Sequence, residues 1–223
     1  MDIPDRVRPL SIEGKATIQL SRQPHRSTDF WMHPPYLNLL SLGSCIKEIP
    51  YLGTGIARAD GQINHGFKNL IDCPDLIDAI PELNADRSMK SLVCALNTGS
   101  RFFTTGCFSR EITDKLGSRC QGYLEFSWNC QVCVRDAINY FSLFFHFQQF
   151  LYTNQFDRQV KFQWSLEQTH FLDLDLLGFC CAISIETGAC ASKDRASEIW
   201  QVSLSALETF LNSVPGESAQ VIY

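Results

Sequence analysis

Eight of the nine prolines in this 223-residue chain lie within the first 81 positions, and the ninth is Pro215, so residues 82 to 214 contain none. Proline interrupts helix interiors and central strands because its ring fixes φ and its nitrogen donates no hydrogen bond. The first third is therefore expected to be loop-rich and partly helical, and the rest to be built from long regular elements. Phenylalanine follows the same division. Thirteen of sixteen fall between Phe102 and Phe179, which places the main core there. The expected organisation is an N-terminal segment, residues 1–81, then a core domain, 82–214, and a tail, 215–223. A chain this long forms either one large domain or two small ones, and these parts are compatible with a single domain.

Within the first third, "KATIQLS" reads as a strand and "YLNLLSLGSCIKEI" as a short helix broken at Gly43. Further on, Ala85 to Leu96 reads as a helix that stops at Asn97 to Gly99. In the core, "RFFTTGCF" and "QGYLEFSW" have strand composition, and "VRDAINYFSLFFHFQQFLYTNQF" is a helix apolar around most of its circumference, which requires cover on several sides. In "VKFQWSLEQ", Val160, Phe162, Trp164 and Leu166 alternate with Lys161, Gln163, Ser165 and Glu167, the pattern of a half-exposed strand. "HFLDLDLLGFCCAISIETG" returns as a further strand or strand pair, and a last helix starts near Ser192 as N-cap and ends at Pro215. Strand, strand, helix, repeated over residues 101–214, predicts an α+β fold: an antiparallel sheet of hairpins with its helices on one face and the other face wet.

With 19 Lys and Arg against 24 Asp and Glu, the net charge is −5. That balance argues against a nucleic-acid binder, whose affinity comes largely from neutralising phosphates. The start of the chain carries two prolines and interspersed charge where a secretion signal needs an apolar run, and the most apolar stretch, near residue 145, is too polar to cross a bilayer. A cytoplasmic protein with no membrane partner is expected, with its ten cysteines as free thiols in a reducing environment.

Two stretches carry candidate chemistry. Cys130 and Cys133 form a CxxC between a strand and a helix, preceded by Trp128. A helix N-terminus favours thiolate, and the ten residues around the pair resemble the thioredoxin-type strand, CxxC, helix arrangement, which implies redox chemistry. The facing proline loop of that family has no counterpart here, since only Pro215 follows. As a zinc site the pair supplies half of the four ligands required. Core packing is the third reading of the two cysteines. In "DLDL", Asp173 and Asp175 would project from one strand face and hold a divalent metal, with Glu167 and Glu186 nearby; a solvated face needs the same residues.

"GTGIAR" lacks both the third glycine of a dinucleotide fingerprint and the lysine of a phosphate loop. The "ADGQI" that follows is similar, over five residues, to the acidic turn of tellurite-resistance TerB domains. His146 reads as a buried helix histidine with one hydrogen bond. No complete catalytic signature is present, so the expected role is binding: a regulatory, immunity-like or adaptor-like protein with a protein partner, and with self-association into homo-oligomers compatible with the composition. The alternatives are a divalent-metal enzyme acting on a phosphate-containing substrate through Asp173 and Asp175, and a small-ligand sensor with its pocket between the sheet and the Phe-rich helix. No cofactor is expected beyond a divalent metal or zinc at these positions.

Overall fold

The computed structural model describes residues 17–18, 35–55, 63–99, 101–215 and 222. Five long strands and one two-residue edge strand make a mixed sheet: β1 (Thr17–Ile18), β2 (Tyr36–Ile49), β3 (Phe102–Asp114), β4 (Gly117–Trp128), β5 (Val160–Phe171) and β6 (Leu176–Thr187), in the order β1-β2-β5-β6-β4-β3. The helices are α1 (Pro81–Ala85), α2 (Arg87–Thr98), α3 (Ala137–Thr153) and α4 (Lys193–Ser213). The class is α+β, as the sequence implied. The sheet is not antiparallel throughout, because β2 runs parallel to β5 while β3–β4, β4–β6 and β5–β6 are antiparallel.

The stretch expected to be a helix broken at Gly43 is β2. Its first half alternates, with Tyr36, Asn38 and Leu40 buried and Leu37 exposed, the two-residue period of a strand. Gly43 falls where the register with β5 slips, between Leu42 and Ile46. The N-terminal third thus contributes a strand beside β5, next to the short edge strand β1, and Tyr36, Leu40, Ile49 and Leu70 join the same buried core as the later elements.

The helices begin at side chains that satisfy their orphan amides. Asp86 accepts from the Ser88 and Met89 amides, both at 3.0 Å, and its other oxygen accepts from the Trp200 indole at 2.7 Å, which ties α2 to α4. Asp136 caps α3 at the Ile138 amide (2.9 Å), so the helix starts at Ala137 rather than near Val134. Ser192 caps α4 as expected, accepting from the Arg195 amide at 3.2 Å.

One sheet face carries the aromatic core. Phe162 and Trp164 of β5, Ile183 and Ile185 of β6 and Leu124 and Phe126 of β4 point to it, and all are essentially inaccessible. The Phe147 ring of α3 lies 5.0 Å from Phe162, 5.6 Å from Trp164 and 5.1 Å from Phe210 of α4. Gly122 of β4 is required here: a Cβ would stand 2.2 Å from the Phe108 carbonyl oxygen and 2.9 Å from the Trp200 ring. Cover on several sides of α3 is not what is seen. Ile138, Phe145 and Tyr152 remain about half exposed or more on its outer side, and His146 is exposed rather than buried. No helix among the described residues is long and apolar enough to cross a membrane.

Candidate functional site

Alternation along the strands that form the core sends the intervening residues to the opposite face. There β5 presents Gln163, Ser165 and Glu167, β6 presents Cys180, Ala182 and Ser184, β4 presents Tyr123 and Glu125, and β3 presents Gly106 and Phe108. This face was expected to be wet. The chain after β2 instead crosses one end of it, anchored by ring contacts from Tyr51 to Phe67 (6.4 Å), Phe67 to Phe103 (6.4 Å) and Phe103 to Phe171 (6.0 Å). A cavity of about 650 Å³ lies between this cover and the sheet, open to solvent on one side.

Charged groups make its floor. Glu125 is 7% exposed, and its Oε1 accepts from both the Lys47 ammonium and the Thr105 hydroxyl. The Tyr51 hydroxyl donates to the Thr105 carbonyl at 2.7 Å, and the Lys47 ammonium stands 5.0 Å from the Tyr51 ring centroid. A buried carboxylate is tolerated only with such partners, because losing its hydration costs several kcal/mol. Lys47, near the end of β2, pairs with Thr169 of β5, and its ammonium reaches Glu125 of β4 across the strands between. Gly43 contributes space: a Cβ would come within 2.8 Å of Glu167 Cγ, so the missing side chain lets the Glu167 stem lie against β2.

Glu125, Glu167 and Cys180 offer ligand atoms within 4.8 Å of one another. Among the described residues they are the group at this site that could hold a metal ion, although the Lys47 ammonium already supplies a cation to Glu125. Burial, and then the Glu125 carboxylate, push the Cys180 thiol up to about 12, with Lys47 pulling the other way. Burial and Glu125 likewise push the Tyr51 phenol above its ordinary value. Cys107, on the cavity wall, is pushed up to about 12 by burial and by Glu82 and Asp86. At neutral pH these three groups keep their protons. They can donate or accept hydrogen bonds, but they are not activated nucleophiles.

The structure separates the residues singled out from sequence. Asp173 and Asp175 do not share a strand face: Leu172–Leu174 is a 3₁₀ turn and Asp175, at φ 47°, closes it in the left-handed region that Asp tolerates better than most residues. Both are exposed at the β5–β6 turn, and Asp175 Oδ1 lies 2.9 Å from His170 Nε2. Glu167 faces the cavity, at the other end of β5 from Glu186's pairing partner Lys161. Cys130 and Cys133 are buried in the core, and the Cys133 amide lies 3.2 Å from Cys130 Sγ. Cys133 sits in a separate 3₁₀ turn, Cys133–Arg135, so Asp136 rather than a cysteine occupies the start of α3. Most of "GTGIAR" and "ADGQI" lies outside the described residues.

Lys47, Tyr51, Thr105 and Glu125 were not legible as a site. Glu125 carried one signal: it is the lone charge in "YLEFSW", between Leu124 and Phe126, where a strand entering the core should be apolar. No protein-family model matches this chain, and no curated protein or solved structure matches it.

Proposed function

We propose that this protein binds a small molecule in the cavity on the sheet face opposite α3 and α4, where α1 and α2 contribute Glu82 and Val93 to the wall. The observation that carries the reading is the floor: a nearly fully buried carboxylate, Glu125, paired with Lys47 at the base of a cavity of about 650 Å³, within the size range of small-ligand sites. Sheet strands fix the side chains of this floor, so it is organised before a ligand arrives. The groups present favour recognition by charge and hydrogen bonding over catalysis, because Cys180 and Tyr51 stay protonated at neutral pH. The ligand-sensor reading of the sequence located its pocket between the sheet and the Phe-rich helix. That space holds Phe144, Phe147, Phe162 and Trp164, and the cavity proposed here opens on the other side.

A thermal-shift screen against metabolites grouped by charge tests the reading. A true ligand at 100 times its Kd stabilises the protein by about 2.7 kcal/mol, several degrees in a domain of this size. Ser184 is an exposed residue on the cavity wall, so Ser184→Trp should fill the mouth, leave the unliganded melting temperature nearly unchanged and abolish the shift. A shift that survives Ser184→Trp, or a screen in which nothing binds, refutes the proposal.

A further inference from the structure

We infer that the occupant of this cavity carries a primary ammonium group, held between Glu125 and Glu167, with a compact aromatic or apolar body against Phe108 and Tyr123. The inference rests on the cavity being a ligand site and adds the class of ligand. Its first support is charge. Among the described residues, Lys47 and Lys68 line the cavity with Glu82, Glu125 and Glu167, two ammonium groups against three carboxylates, and the His65 ring lies 3.9 Å from Glu82. Among these described lysines and glutamates one negative charge is in excess. It is assigned to Glu167, whose carboxylate forms no ion pair among the described residues although it lies within 4.8 Å of Glu125. Two carboxylates this close, partly screened from water, repel each other and favour a cation between them.

The second support is an oxygen. Lys47 and Thr105 both donate to Glu125 Oε1, and among the described residues no hydrogen bond reaches Oε2, which is not one of the enclosed, partnerless atoms and so is open to the cavity. An ammonium group has three donors. Glu125 Oε2, a Glu167 oxygen and the Ser165 hydroxyl, which projects from the same face of β5 as Glu167, are the acceptors on hand. The Phe108 and Tyr123 rings, 6.2 Å apart, wall the cavity beyond the carboxylates and suit a ring or short apolar chain bearing the charge.

A divalent metal answers the same charge less well. Zinc requires ligand atoms about 2.0–2.3 Å from the ion. Here Lys47 already occupies one side of Glu125, which leaves fewer carboxylate oxygens for an ion.

Three probes of nearly equal shape and different charge make the test: tyramine (cation), tyrosol (neutral) and 4-hydroxyphenylacetate (anion), each titrated calorimetrically, with zinc chloride as a fourth arm. The expected result is binding of tyramine at least about tenfold tighter than of tyrosol or the acid, which corresponds to one extra charge-assisted interaction. Glu167→Gln should remove that preference while leaving the unliganded melting temperature within a degree or two, and Ser184→Trp should remove all binding. Equal binding of the three probes, tighter binding of the acid, or a tyramine affinity indifferent to Glu167→Gln overturns the ammonium assignment and leaves the cavity reading standing. Zinc binding without tyramine binding also overturns it. If no probe binds while another compound in the screen gives a shift abolished by Ser184→Trp, the ligand class is wrong and the site is right; if nothing in the screen binds, both fall.

Discussion

The two sides of β5 are twelve residues of one backbone serving two environments. Toward the helices it places Val160, Phe162, Trp164 and Leu166, all buried, in a layer of rings contributed by α3, α4 and the neighbouring strands. Toward the cavity it places Gln163, Ser165 and Glu167, each partly exposed. The first side is where burial of apolar area stabilises the fold. The second buries less apolar area and holds polar and charged groups in partial contact with water, the feature on which the proposed ligand site rests. On the proposed reading, stability and recognition are separated by a single peptide unit, so the strand should tolerate changes on the cavity side better than on the helix side.

The largest expected effect tests that separation directly. Phe162→Ala removes a fully buried ring that Phe147 meets edge-on at 5.0 Å and should destabilise the protein by about 3–5 kcal/mol, whereas Gln163→Ala, one residue along, should stay within about 0.5 kcal/mol. Urea unfolding of both variants measures the contrast, and equal losses would show that the cavity side is structural. A smaller effect is expected from Lys47→Met. It keeps the length of the side chain but leaves the Glu125 carboxylate with Thr105 as its one remaining donor among those described. Breaking a fully buried pair costs about 3–5 kcal/mol; because the Lys47 side chain is 24% exposed and water can reach it, about 1–3 kcal/mol is expected here. Restoring the loss with Glu125→Gln in the same chain would show that the uncompensated charge, and not lost packing, is the cause.

The helix side was largely legible in the sequence, because its signals are local. The alternation from Val160 to Leu166, the N-cap at Ser192 and the concentration of phenylalanine each report on residues a few positions apart, and those elements appear close to where they were expected. The errors have a common physical origin in long-range pairing. β2 has few β-branched residues, and what makes it a strand is a parallel partner more than a hundred positions away in β5. "LDLDL" continues the two-residue period of β5 on paper, yet the backbone turns there so that β6 can pair with β5. The site was least legible, since Lys47, Thr105, Glu125 and Glu167 come from four different strands and meet only after the sheet is assembled. Glu125 alone stood out locally, as a charge in an apolar run.

Cys180 and Cys181 extend the comparison to β6, where adjacent thiols point to opposite faces and both are buried. Burial raises both, Cys180 to about 12 and Cys181 well above its ordinary value. In the unfolded chain a thiol loses its proton near 9. Between about 9 and about 12 the unfolded state therefore binds fewer protons at Cys180 than the folded state does, and linkage makes stability fall as pH rises through that window. Below pH 9 the contribution is fully present and independent of pH. The slope approaches about 1.4 kcal/mol per pH unit for one thiol. Lysines and tyrosines also titrate in this range, so the informative quantity is the difference between the wild-type chain and Cys180→Ala, with urea unfolding at intervals from pH 8 to 11. The variant's stability should fall less steeply above pH 9 by up to that amount, and a ligand bound over the two glutamates should leave the difference intact at Cys181→Ala but change it at Cys180→Ala. Identical slopes for wild type and Cys180→Ala would mean that water reaches this thiol through the cavity and that the open face is wetter than its geometry implies.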